Sequence, residues 1–455
     1  MLIGGEVWCL IDIPLNLIRQ LITTRMSVWE RRALVVLLVA GLVYGVCVLC
    51  RATLTSNHNT DLGVYLAAAQ AVRDNGDLYR ATYNQNHYMY PPLFALLLAH
   101  IVPAPPQPNV PVSAGFVVIV GVWYVVSLLA LTVAVRALSK TLSRTWPDNP
   151  PSLPVKWTAV WTLRLLPIVI CLHSMGRELQ LGQVDLFVLA LLALTMVAAA
   201  EGKSYQAGLW LAAAICLKVM PAMLLIYPVW RRDWRWLLSC AGGIALGLVV
   251  IPVLTFGYDG AMKYTQEYAN VLLLPAATGK VTDHSRDVEL LNQNAVHNYS
   301  LLGVMHNLEN LSQAREDRPK IASPRNRWVA LALGLLLTLL TLLASGFRRQ
   351  VSRLATVLCL SMLIVMMLIT SPVCQSYYFI LLIPLIMAVV ATDLQRFGTV
   401  FPKLCILGVC AAYLVAQAVS SFSPLLRDGG LVLASVLALW LTALMALGQE
   451  VRRQP

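Results

Sequence analysis

Apolar residues come in long runs along this chain, and polar residues are confined to the gaps between them. Runs at 33–51, 112–136, 157–173, 183–200, 236–256, 327–346, 354–371, 376–392, 401–420 and 429–448 stand out. At about 17–25 residues, such runs are long enough to cross a bilayer core as helices. Two shorter pieces, 205–217 and 219–230, are split by Lys218 and Pro221 and end in "WRRDWR". They predict a broken hairpin that dips into the membrane and returns. The stretch "YPPLFALLLAHIVPAPP" is closed by prolines before it can span, which predicts a re-entrant or surface helix. The first residues, "MLIGGEVWCLIDIPLNLIRQ", have no basic leader and no small-residue cleavage site, and predict an interfacial helix. The runs are too continuous for the alternating strands of a β-barrel. The pattern predicts an all-α polytopic integral membrane protein with about 9–11 transmembrane helices plus re-entrant or surface helices in its external loops.

Charge orients these runs. Basic residues at 19, 25, 31 and 32 precede the first span, so residues 1–32 are expected in the cytoplasm. Residues 52–110 then form a first external loop, and 257–326 a long second one. The basic segments "FRRQVSR" and "EVRRQP" fall on the inner side, as does the C-terminus. No soluble domain separates from this arrangement, so the chain reads as one membrane domain over 1–455.

Composition narrows the function. Only 12% of residues are charged and 58% are hydrophobic, against roughly a quarter charged in soluble domains. The net charge of +12 would suggest nucleic acid in a soluble protein. Here no basic run interleaves with stacking aromatics, and membrane topology explains the charge. The ten cysteines lack metal-like spacing and read as small buried hydrophobes. Phosphate-binding loops, dinucleotide fingerprints, zinc-protease and serine-hydrolase motifs are all missing from the sequence.

What remains is a set of polar residues at the outer ends of spans. Asp61 opens an amphipathic stretch, "DLGVYLAAAQAVR", and is either a helix cap, with Asn59 and Thr60, or a catalytic base. In "GRELQLGQVD", Arg177 and Glu178 either pair at the interface or act on substrate. Gln183 and Asp185 open a span directed into lipid, where ionisable groups are functional candidates. Lys218, in "AAAICLKVMP", either snorkels to the cytoplasmic interface or binds an anion in a cavity beside its broken helix. Asn292, Gln293, His297 and Asn298, in "LLNQNAVHNYSLLG", are a solvated loop or a set of groups suited to sugar hydroxyls. Gln375, Tyr377 and Tyr378, after the Ser-Pro break of "TSPVCQSYYFILLIPL", are interfacial aromatics or site residues.

In their order and spacing these stretches resemble the polyprenol-phosphate-mannose-dependent mannosyltransferases, family 87 of the GT-C glycosyltransferases. The similarity runs from about residue 60 to about 390 and is carried by "TDLGVYLAAA", "GDLYRATYNQNHYMYPPLFALLL", "RELQLGQVDLFVLALLAL", "AGLWLAAAICLKVMPAMLLIYPVWRRDWRW", "NQNAVHNYSLLG" and "SPVCQSYYFILLIPL". The resemblance implies a GT-C-type helical bundle in a bacterial inner membrane, with its active site on the external side. It implies a polyprenyl-phosphate sugar donor, a glycolipid or glycan acceptor, and inversion at the anomeric carbon. Asp61 takes the position of the family's base, and Tyr65 and Tyr90 fall in matching stretches as candidate donor contacts. The chain departs from the family at "CQSYY", where histidines often follow the Ser-Pro pair. It departs again at "NQNAVHNYSL", where Asn-Gln does not run straight into Ser-Leu.

The expected chemistry is a one-base displacement. Asp61 accepts the proton of the acceptor hydroxyl, and the departing phosphate, already stable as an anion, needs no second acid. It needs positive charge, for which Arg177 is the first candidate. Lys218 is the second, because the topology puts it nearer the cytoplasm unless the broken hairpin rises. No cofactor or metal is expected. The rival reading is a lipid or sugar transporter without covalent chemistry, which predicts paired broken helices in both halves.

Overall fold

The computed structural model describes residues 28–54, 61–83, 86–100, 113–144, 153–275, 292–347, 351–397 and 402–453. The expected interfacial helix and the caps Asn59 and Thr60 lie outside these residues. The chain divides into two compact units, 1–54 and 55–455. The first contributes one helix, α1 (Val28–Leu54).

Among the described residues, the regular structure of the second unit is helical apart from a two-stranded hairpin. It runs α2 (Asp61–Arg73), β1 (Thr82–Tyr83), β2 (Asn86–His87), α3 (Pro92–Ala99), α4 (Ala114–Ser143), α5 (Leu153–Ile170), α6 (Leu172–Leu181), α7 (Asp185–Ala200) and α8 (Ser204–Leu217). A 3-10 turn (Met220–Leu225) leads into α9 (Ile226–Arg231), followed by α10 (Trp234–Leu273). Beyond the second loop come α11 (Leu301–Glu309), α12 (Pro324–Ala344) and α13 (Arg353–Thr370). A 3-10 turn (Ser376–Leu382) opens α14 (Ile383–Phe397), and α15 (Leu404–Phe422), α16 (Pro424–Asp428) and α17 (Leu431–Arg452) complete the bundle.

Seven of the described helices are long and apolar enough to span, or eight if α5 and α6, bent by 63°, count as one broken span. The expected count of 9–11 is reached by adding the apolar part of α1 and the shorter apolar helices α7 and α8. The run expected at 183–200 is the 16-residue α7, and that at 205–217 the 14-residue α8. At the centre stands α13, on which every side chain from Leu354 to Ile369 is buried. Apolar all round apart from Thr356 and Ser361, it suits a helix packed on all sides. Lipid-facing leucines and valines instead mark α12, with Leu335 and Leu336 half exposed or more.

Two elements depart from expectation in ways that shape the site. The predicted external loop from 257 begins as helix: α10 continues past a break at Gly257 (φ 71°) for four more turns to Leu273. The broken hairpin is present, and it rises. Gly208 of α8 leaves no room for a Cβ against Trp236 and Ser239 of α10, Gly243 none against Ala212, and Gly247 none against Cys216. These contacts advance along both helices together, so α8 and α10 run parallel and 218–231 must travel back down. Lys218 therefore stands at the hairpin tip, 14 residues from the base of α8, or roughly 21 Å at 1.5 Å per residue.

The helix ends at the base of this hairpin carry bonded basic residues. Arg144 and Lys203 meet Glu201 at 2.9 and 3.0 Å, Arg231 donates to the Ser345 and Gly346 carbonyls at 3.0 Å, and Arg396 bonds Gln449. The pocket described next lies at the opposite end.

Candidate active site

A cavity of about 430 Å³ opens where α2, the β-hairpin, the tip at Lys218, the end of α10 and the Ser371–Tyr378 loop converge. That volume is within the range of small-molecule sites, about 300–1,000 Å³. Asp61 lies on its wall, in the first turn of α2, where an acid meets the positive end of the helix dipole.

Asp61 is held from across the fold. α6 ends at Gly182 in the left-handed region (φ +68°), and a Cβ there would come to 2.9 Å from the Leu62 side chain. Glycine thus lets the turn seat itself on α2, and the next residue, Gln183, reaches the carboxylate. The Gln183 amide donates from Nε2 to Asp61 Oδ2. Its Oε1 accepts from the Tyr65 hydroxyl at 3.0 Å and the Tyr90 hydroxyl at 3.1 Å, and the two phenols meet at 2.9 Å. Burial, reinforced by neighbouring anionic groups, pushes the Tyr65 phenol well above its ordinary pKa, so it stays a donor. The flipped amide would turn Oε1 toward a carboxylate, so the network fixes one orientation.

Lys218 provides the positive charge. It lines the cavity, is 8% exposed, and its Nζ lies 2.6 Å from Asp185 Oδ1 and 4.1 Å above the Tyr378 ring. Asp185 is fully buried in the first turn of α7. The hairpin covers it. Glu178 pairs not with Arg177 but with the same helix start, accepting from the Leu186 N–H at 3.2 Å.

Several expected contacts lie elsewhere. Arg177 is not among the cavity-lining residues, and its guanidinium donates to Gln180 at 3.5 Å. The hairpin's rise reverses the order expected for the two cations: Lys218 reaches the cavity and Arg177 does not. Asn292, Gln293, His297 and Asn298 are also outside the lining. The Asn298 amide accepts from the Ser300 and Cys374 N–H groups at 3.1 and 3.0 Å, and donates to Gln293 Oε1 and the Pro372 carbonyl at 3.1 and 3.2 Å. Asn292 accepts from the Asn294 N–H in a local turn. Asn298 thus fastens the second loop to the Ser-Pro break rather than facing the cavity, with three of these four hydrogen bonds made to backbone. Gln375, Tyr377 and Tyr378 do line it.

The cavity also includes Asn86, His87, Met89, Val219, Met220 and Leu272, which were not singled out in the sequence. The polar Asn86–His87 pair inside the tyrosine-rich "YNQNHYMYPP" was the available signal. Leu272 had none, since the helix carrying it was expected to be loop.

Residues 88–372, well over half of the chain, match the sequence model of Glycosyltransferase family 87. The matched segment contains Tyr90, Gln183, Lys218 and the Ser371–Pro372 break, and begins after Asp61. No curated protein and no solved structure matches the chain. A family match of this extent, on a polytopic helical bundle, decides the classification: the chain belongs to glycosyltransferase family 87 and is a membrane glycosyltransferase.

Proposed function

We propose that the enzyme transfers a sugar, mannose by the family resemblance, from a polyprenyl-phosphate donor to a hydroxyl of a glycolipid or glycan acceptor. The observation that carries this reading is one cavity lined by both a carboxylate, Asp61, and an ammonium, Lys218. The acceptor oxygen attacks the anomeric carbon from the side opposite phosphate while Asp61 takes its proton. The carbon–oxygen bond to phosphate breaks, and the electron pair stays on the departing oxygen. Phosphate gains one negative charge and Asp61 loses one, so the total is conserved. Lys218, itself buried, meets the charge that develops; on this account the step requires neither a metal nor a second acid. Gln183 holds Asp61, while Tyr90, Gln375, Tyr377 and Tyr378 offer hydroxyl and amide partners to the sugar.

The polyprenyl tail would leave over the apolar wall made by Val219, Met220 and Leu272. Basic helix ends opposite the cavity support an external active site with cytoplasmic termini by the positive-inside rule; the bacterial cell membrane rests on the family resemblance. The test is Asp61→Asn in purified enzyme given a polyprenyl-phosphate sugar. Turnover should fall about 10²- to 10⁴-fold at an unchanged thermal midpoint, since asparagine caps helices as well as aspartate. Turnover within a few-fold of wild type would remove Asp61 as the base.

A further inference from the structure

The Lys218–Asp185 pair raises a question of its own, because a phosphate-binding ammonium already carries a counter-ion. We propose that Asp185 is a positioning residue that sets product release: it competes with phosphate for Lys218, and competes harder against product than against donor. The role rests on the functional reading above.

Asp185 Oδ1 sits 2.6 Å from Lys218 Nζ. Its Oδ2 is buried and accepts no hydrogen bond among the described residues. A carboxylate retained for structure alone would be expected to satisfy both oxygens. The side chains of Lys218 and Asp185 are 9% and 1% exposed, so water screens little of their charge. Any phosphate reaching Lys218 from the cavity therefore meets a second anion across the ammonium.

The donor is a phosphodiester with one negative charge. After transfer it is a monoester carrying about −1.5 to −2. Attraction to Lys218 grows with that charge, which alone would make product the tighter ligand and stall the enzyme. Repulsion from Asp185 grows with the same charge and falls harder on product. When product leaves, Lys218 returns to Asp185 and is not left buried without a partner, a state that would be costly.

The experiment compares KM for a polyprenyl-phosphate sugar with Ki for a polyprenyl monophosphate in wild type, Asp185→Asn, Asp185→Glu and Lys218→Gln. In Asp185→Asn the ratio Ki/KM should fall about tenfold, the size of a one-unit effect from a nearby like charge. Asp185→Glu keeps the charge and should hold the ratio at or above wild type; it also serves if Asp185→Asn does not fold. A ratio unchanged in Asp185→Asn, or lowered in Asp185→Glu, overturns the role. So does a loss of affinity for both ligands in Asp185→Asn, which would mark Asp185 as a plain support for Lys218. Lys218→Gln separates the two levels. If it weakens both ligands while Asp185→Asn leaves the ratio alone, only the release role falls. If it changes neither constant, the phosphate reading falls and takes this role with it.

Discussion

Two polar clusters meet at the Ser371–Tyr378 loop, and they use their hydrogen-bonding groups in opposite ways. On the cavity side, Tyr65, Tyr90, Gln183 and Asp61 bond one another side chain to side chain across more than a hundred residues of chain. Behind it, Asn298, Ser300 and Tyr299 bond backbone: Asn298 and Ser300 reach the Pro372 carbonyl, and the Tyr299 N–H donates to the Cys374 carbonyl at 2.8 Å. The first cluster lines a space. The second fastens one wall of that space in place. Residue composition does not distinguish them, because amides and hydroxyls serve both ends. What does is whether each group's lone pairs and protons are consumed by main chain.

Removing one amide from each side tests this division. Gln183→Ala should cut turnover roughly tenfold to a hundredfold, the scale of a misplaced catalytic group, with a small change in thermal midpoint. Asn298→Ala leaves the buried N–H groups of Ser300 and Cys374 short of a partner, at about 1–3 kcal/mol for each lost buried partner, while the Pro372 carbonyl keeps the Ser300 hydroxyl. It should lower stability by roughly 3 kcal/mol, while turnover per folded molecule stays within a few-fold. The measurement is thermal unfolding beside turnover on the same preparations. If Asn298→Ala abolishes turnover at full stability, the division between site and latch is wrong.

A smaller effect is expected at the junction between helix and cavity. Gly182→Ala puts a Cβ 2.9 Å from the Leu62 side chain at a positive φ, costing about 1–2 kcal/mol. Since the next residue is Gln183, turnover should fall several-fold along with stability. Gly202 is a control, because it shares the positive φ (+74°) but has open space around it. Gly202→Ala should lower stability alone, measured the same way. Equal activity losses in both variants would mean that the seating of Gln183 on Leu62 does not matter.

The helical bundle was legible in the sequence because burial in lipid and in protein both demand apolar runs, and runs survive without knowledge of neighbours. Asp61, Gln183, Tyr377 and Tyr378 were legible as candidates for a related reason: ionisable and amide groups at span ends are costly without a purpose. The order of the two cations was not. Reading Lys218 as nearer the cytoplasm counts residues from the basic "WRRDWR" and cannot see that Gly208, Gly243 and Gly247 let α8 stand upright against α10. Those glycines act through contacts distant in sequence. The latch was misread because a backbone partner, such as the Pro372 carbonyl 74 residues from Asn298, leaves no trace in side-chain composition.

The mildest way to sharpen the comparison is pH. His297 belongs to the latch side, half-buried beside Tyr299 at 3.4 Å. Burial pushes its pKa down from 6.5 to about 4, helped by Arg177, Arg427, His173 and Arg315. The sign follows from proton counting: between these two values the unfolded chain binds a proton that the native imidazole refuses. The stability gained from a neutral His297 is therefore complete above pH 6.5 and is lost as pH falls toward 4. His297→Asn removes this titration, so its thermal midpoint should fall less than that of wild type between pH 7 and pH 4. His306, whose pKa burial also lowers, keeps titrating in the variant, so the slope should shrink and not vanish. Turnover at pH 7 should remain within twofold, since the imidazole is already neutral there and stands outside the cavity. An unchanged acid slope would show that His297 is not the group refusing the proton. A collapse of turnover would move His297 from the latch to the site, and the boundary between the two clusters with it.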